Sequence, residues 1–170
     1  ETRPGWVDVR YRVMEGALLH VRNVRIRGNT KTRDKVIRRE IPLNPGDLFD
    51  EVEAGRSERR LMNLGYFETV RHYDLAVPDE TRRDLVFEVA EKPTGQFLIG
   101  AGFSSVDKIV GYLELSQSNF DLFNWGRFTG GGQKVRLGMN ASENNTDVEV
   151  SFVEPWLFDR RLQLNLDAFS

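Results

Sequence analysis

The feature that most constrains this chain is a strict alternation of apolar and polar residues, repeated along its second half. In Gln96 to Ser104, residues Phe97, Ile99, Ala101 and Phe103 share one face, and Gln96, Leu98, Gly100, Gly102 and Ser104 share the other. The next stretch sets Ile109, Gly111, Leu113 and Leu115 against Val110, Tyr112, Glu114 and Ser116. A third sets Val135, Leu137, Met139 and Ala141 against Lys134, Arg136, Gly138, Asn140 and Ser142. A fourth opposes Val148, Val150 and Phe152 to Asp147, Glu149, Ser151 and Val153, and a fifth opposes Leu162, Leu164, Leu166 and Ala168 to Arg161, Gln163, Asn165 and Asp167. A period of two is the signature of a strand with two unlike faces.

The connections alternate too. Short polar tips at Ser105-Val106-Asp107-Lys108 and Glu143-Asn144-Asn145-Thr146 trade places with aromatic-rich links at Phe120 to Phe128 and Glu154 to Phe158. Phe120, Phe123, Trp125, Phe128, Trp156 and Phe158 thereby gather at one end of the strand set, as an interfacial girdle does. Strands of roughly ten residues, at about 3.3 Å per residue and tilted about 40°, rise about 25 Å, the height of an outer-membrane apolar band. A soluble β-sandwich alternates as well, so pattern alone leaves that alternative open. Five strands cannot close around a polar lumen, for which about eight are needed. An open edge in hydrocarbon is not tolerated. The expectation is therefore the front of a barrel in a longer, processed chain, which also fits a start on Glu1 and an end inside an alternating stretch at Ser170.

Composition shifts where the alternation begins. The first 94 positions hold 18 basic and 17 acidic residues, the remainder 6 and 9, and 8 of the 11 phenylalanines lie in the remainder. The two parts join at Glu91-Lys92-Pro93-Thr94-Gly95, a Pro/Gly-punctuated linker. The net charge of -2 argues against a polycation built for nucleic acid. No cysteine and only His20 and His72 exclude disulfides and thiol catalysis, and argue against a histidine-rich metal site. Gly130-Gly131-Gly132 lacks the Lys-Ser/Thr of a phosphate loop, and the carboxylates show no recurring spacing. The expectation is no enzyme, no catalytic residue, no metal and no cofactor.

The first part reads as a small α/β module. Trp6 to Glu15 alternates as a half-buried strand, and Leu18 to Arg27 forms a second, ended by Gly28-Asn29. Thr30 and Thr32 are candidate N-caps for a short helix reaching about Glu40, closed by Pro42. Asp47 or Asp50 can cap a second helix from Glu51 to Leu64, with Gly65 at its C-terminal cap. Strands at about Tyr66 to Val77 and Leu85 to Ala90 follow. The expected core is Val24, Ile26, Val36, Ile37, Leu61, Leu64, Phe67, Leu85, Phe87 and Val89.

Specific strings sharpen this. Val24-Arg25-Ile26-Arg27-Gly28-Asn29-Thr30, Asn63-Leu64-Gly65-Tyr66-Phe67-Glu68-Thr69-Val70 and Leu85-Val86-Phe87-Glu88-Val89-Ala90-Glu91-Lys92-Pro93 together resemble the polypeptide-transport-associated (POTRA) domain. Gln117-Ser118-Asn119-Phe120, Asn124-Trp125-Gly126-Arg127 leading to the triple glycine, and Glu154-Pro155-Trp156-Leu157-Phe158-Asp159 resemble the start of the barrel in BamA-type outer-membrane assembly factors. The resemblance implies an α+β POTRA domain (β-α-α-β-β) at 18–93, followed by antiparallel strands forming the first part of a transmembrane β-barrel at 94–170. Residues 1–17 would be the last strand of a preceding POTRA domain. The family's later loop motif, of the Val-Arg-Gly-Phe type, is absent here.

The implied function is folding and insertion of β-barrel proteins in a bacterial outer membrane, with the POTRA part in the periplasm. Two-partner secretion or autotransporter-assembly transporters share these parts, and a soluble periplasmic binding module with a β-sandwich is the alternative of another class. Implied partners are unfolded outer-membrane clients, accessory outer-membrane lipoproteins and the bilayer, with no nucleic acid. By the same resemblance the client-pairing seam falls on Gln96, Phe97, Leu98, Ile99, Gly100, Ala101, Gly102 and Phe103. Glycines there either weaken the strand or make room for large neighbours. Arg33, Lys35, Arg38 and Arg39 are candidates for an accessory-partner surface, beside the plainer reading of a solvated helix face.

Overall fold

The computed structural model describes residue 7 and residues 9–12, 16–105 and 108–170. The expected strand Trp6 to Glu15 lies largely outside them, and its described members carry no regular structure. Val106 and Asp107 of the first polar tip also lie outside the described residues.

The first module runs β1 (His20–Arg27), α1 (Asp34–Arg38), α2 (Glu51–Asn63), β2 (Phe67–Ala76) and β3 (Arg82–Glu91). Its three-stranded sheet has the order β1-β3-β2, with β1 parallel and β2 antiparallel to the central β3. α2 forms as the sequence indicates. Asp50 accepts hydrogen bonds from the Val52 and Glu53 N–H groups, and Ala54, Ser57 and Leu61 face inward. Seven of the ten expected core residues are buried, namely Val36, Ile37, Leu61, Phe67, Leu85, Phe87 and Val89. Val24, Ile26 and Leu64 are partly buried against them, and Val21, Ile41, Leu43, Ala54, Tyr66 and Val70 complete the cluster.

α1 differs from expectation. It is five residues long, starts at Asp34, and neither Thr30 nor Thr32 caps it, because its N-cap position is Arg33 without a side-chain cap. The Thr30 and Thr32 N–H groups are turned instead toward Glu91 at the end of β3. Their hydroxyls are engaged away from the helix, that of Thr30 donating to Glu91 and that of Thr32 accepting from Asn119.

The second part is a five-stranded antiparallel meander, β4 (Gly95–Ser104), β5 (Lys108–Phe120), β6 (Gln133–Ser142), β7 (Thr146–Glu154) and β8 (Leu164–Phe169), paired in that order. Register places Phe97, Leu115, Leu137, Val150 and Ala168 in one cross-strand row. The neighbouring row on the opposite face is Gln96, Ser116, Arg136, Ser151 and Asp167. The alternation is thus a pair of true faces. The apolar one is exposed at Phe97, Ile99, Leu115, Leu137, Met139 and Val150. Between Gln117 and Phe120, β5 carries one more residue than β6, a bulge that turns Asn119 out of the ladder toward the first module.

Candidate functional site

The two parts meet where the loop before α1 faces the β5–β6 connection. Asn119, freed by the bulge and buried, donates from Nδ2 to Thr32 Oγ1 at 2.9 Å and accepts from the Gly132 N–H at 2.9 Å. A main-chain bond crosses the same gap, from the Arg33 N–H to the Gly130 carbonyl at 3.0 Å. Tyr66 adds a third tie from its hydroxyl to the Gly132 carbonyl at 3.3 Å. Backbones this close need glycine. A Cβ on Gly130, whose φ is +107°, would lie 2.0 Å from the Lys31 carbonyl oxygen.

Glu91 fixes the other side of the loop. Its carboxylate accepts from the N–H groups of Thr30, Lys31 and Thr32 at 2.9, 2.9 and 2.6 Å, and from the Thr30 hydroxyl at 2.8 Å. Burial pushes the Glu91 carboxyl pKa up, but these donors outweigh it and hold the group below the usual carboxylate range. The end of β3, the loop before α1 and the bulge of β5 therefore form one hydrogen-bonded unit, with Thr32 as the shared member. Beside it lies an open cavity of about 400 Å³, lined by Lys31, Glu91, Pro93, Gln117 and Arg127 among others.

Three of the four basic residues singled out in the sequence face the aromatic connections of the sheet. Arg33 Nη2 lies 2.7 Å from Oδ2 of the buried Asp121, a charge contact out of hydrogen-bond alignment. Lys35 pairs with Asp159 at 3.0 Å, and the Arg39 guanidinium sits 5.3 Å from the centre of the Trp156 ring. Burial lowers the Arg39 pKa, although its charge is kept. Arg38 turns away, donating to the Ile41 carbonyl and Asn44 Oδ1. Sequence reasoning missed Asn119, Tyr66 and Glu91 as a joint. The signal that could have found them is three consecutive glycines inside an otherwise aromatic connection.

The eight residues expected to form a client-pairing seam lie together on β4, which pairs with β5 on one side and leaves its other edge unpaired among the described residues, as β8 does. Its glycines are not equivalent. A Cβ on Gly100 would fall 2.1 Å from Cε1 of Tyr112, whereas one on Gly102 would meet nothing within 4 Å. Room for a large neighbour explains Gly100 and does not explain Gly102. No group of His, Asp and Glu side chains suited to a metal ion occurs among the described residues.

Residues 19–92 match the family described as POTRA, surface antigen variable number repeat. The outer membrane protein assembly factor BamA of Neorickettsia risticii is 34% identical over 139 residues, which is 81% of this chain and 18% of that protein. BamA of Neisseria meningitidis serogroup B is 29% identical over 166 residues, 96% of this chain and 20% of that protein. The chain thus spans about a fifth of the length of these relatives. Among solved structures, BamA from Haemophilus ducreyi lacking POTRA domains 1–3 superposes with a TM-score of 0.76 at 25% identity, over 89% of this chain and 27% of that one.

Proposed function

We propose, for a chain that belongs with the BamA-type outer-membrane assembly factors and carries a POTRA domain at residues 19–92, that it works in folding and inserting β-barrel proteins in the bacterial outer membrane. Residues 94–170 are then the opening strands of the barrel, residues 18–93 the membrane-proximal periplasmic POTRA domain, and residues 1–17 belong to a POTRA domain before it. One observation carries the reading. The five-stranded sheet exposes a continuous apolar face and has aromatic connections at the POTRA end. That combination suits a wall of hydrocarbon outside and a polar lumen inside, and the seam at the first strand follows from the family resemblance.

The work is done by main-chain geometry. A client strand laid along β4 satisfies its N–H and C=O groups before it enters lipid, where each unsatisfied group costs several kcal/mol. The seam residues Gln96 to Phe103 supply the template, and the junction at Asn119 and Gly130 fixes where the POTRA domain stands relative to it. No bond of the client is made or broken covalently, and the reading needs no cofactor. Arg33, Lys35, Arg38 and Arg39 remain the proposed meeting place for accessory lipoproteins, which would have to draw on groups already engaged by Asp121, Asp159 and Trp156.

Cysteines placed singly along Gln96 to Phe103 of the full-length protein, with partners on a client strand, test the seam in living cells. Crosslinks confined to this strand are the expected result. A protein that stays monodisperse without detergent and never reaches the outer membrane would sink the barrel reading itself.

A further inference from the structure

The Tyr112 ring stands where a side chain of the neighbouring strand belongs. It is registered opposite Gly100 on β4. A Cβ at Gly100 would lie 2.1 Å from its Cε1, 2.5 Å from its Cζ and 2.8 Å from its hydroxyl oxygen. The outer end of the ring thus fills the space above Gly100. Elsewhere in the same inward row, Gln96 and Leu98 carry their own side chains.

We infer that Tyr112 contacts the client strand through the gap at Gly100 and fixes its pairing frame. This rests on β4 being the seam. A strand added at the free edge of β4 stands two strand spacings from β5, about 9.5 Å, beyond the usual reach of side-chain pairs. Directly opposite residues, by contrast, have Cβ atoms about 5 Å apart. By occupying the place of a side chain at position 100, Tyr112 becomes the direct neighbour of whatever the added strand presents there. Its hydroxyl has no hydrogen-bond partner among the described residues. Inward residues of a barrel strand are polar, so the contact it favours is a polar client side chain able to hydrogen-bond a phenol. A slip of one residue brings an apolar, lipid-facing side chain to the same place, where it cannot make that hydrogen bond and displaces water from the hydroxyl. Gly102, above which space is open, offers no such contact.

The test uses the full-length protein in its own membrane, with a photoreactive benzoyl-phenylalanine in place of Tyr112 or, as a control on the same face, of Glu114. An Ile99→Cys variant with a client cysteine reports the seam separately. The expected result is photolabelling of the client from position 112 and none from 114, with loss of the 112 label when Gly100→Val fills the gap. Cysteine crosslinking without any label from 112 would overturn the inference and leave the seam intact, whereas failure of both would remove the seam as well. Should Gly100→Val not assemble, Tyr112→Phe decides. Crosslinks spread over adjacent client positions support frame selection by the hydroxyl, and an unchanged pattern refutes it.

Discussion

A methyl group added at Gly130 would land on a backbone oxygen that cannot swing aside, whereas one added at Gly100 would meet the tip of a tyrosine ring that can. The two glycines therefore predict different outcomes. Gly130→Ala carries a left-handed backbone penalty of about 1 kcal/mol in addition to the overlap with Lys31. It should break the Arg33-to-Gly130 bond, read as faster amide exchange at Arg33 with the POTRA core still protected. If exchange at Arg33 is unchanged, the close approach is not what holds the joint. Gly130-Gly131-Gly132 was visible in the sequence, but its reason was not. What demands glycine there is the Lys31 carbonyl, far removed along the chain and adjacent only after folding.

Between residues and the whole stands the pairing of α2 with β2. Glu51, Gly55 and Glu58 form a stripe on α2, and the His72 ring from β2 lies along it, with Nε2 3.0 Å from Glu51 Oε1, Nδ1 against Glu58, and Phe87 beside it. Burial pulls the imidazole pKa down, but the two carboxylates outweigh it and raise it above the ordinary histidine range. A raised folded pKa contributes stability that is fully present below the unfolded value of about 6.5 and is lost as pH rises through the folded value. Protection factors of the POTRA domain, its exchange rates divided into the intrinsic base-catalysed rate at each pH, should therefore be higher at acidic pH and fall as pH rises through the His72 titration, which NMR of the ring protons follows. His72→Gln should flatten that dependence, and a ring titrating below about 6.5 would refute it. The helix itself was legible from Asp50 and the spacing of Ala54, Leu61 and Leu64. The clamp was not, because Glu51 and His72 come together only through the turn at Gly65.

For the whole molecule the question is how the first module is held against the sheet. Among the described residues the ties are few and polar: one main-chain bond, Asn119 to Thr32, Tyr66 to Gly132, and the cation contacts at Asp121, Asp159 and Trp156. Asn119→Leu leaves Thr32 and Gly132 with lost partners, a cost of about 1–3 kcal/mol for each buried group. It should broaden the distance distribution between spin labels on α2 and on β6 in the full-length protein, with each part still folded. A distribution as narrow as in the unaltered protein would show that the remaining ties suffice. The sequence by itself determined the strands from β1 to β8, the two faces of the second sheet, the α+β order of the first module and most of its core, because periodicity and caps act between residues close in the chain. Only the tertiary structure decided the joint and the reason for a glycine at position 100. A bulge that re-aims Asn119, a carbonyl that excludes a side chain at Gly130 and a ring that replaces one at Gly100 are relations across space, which periodicity along the chain does not record.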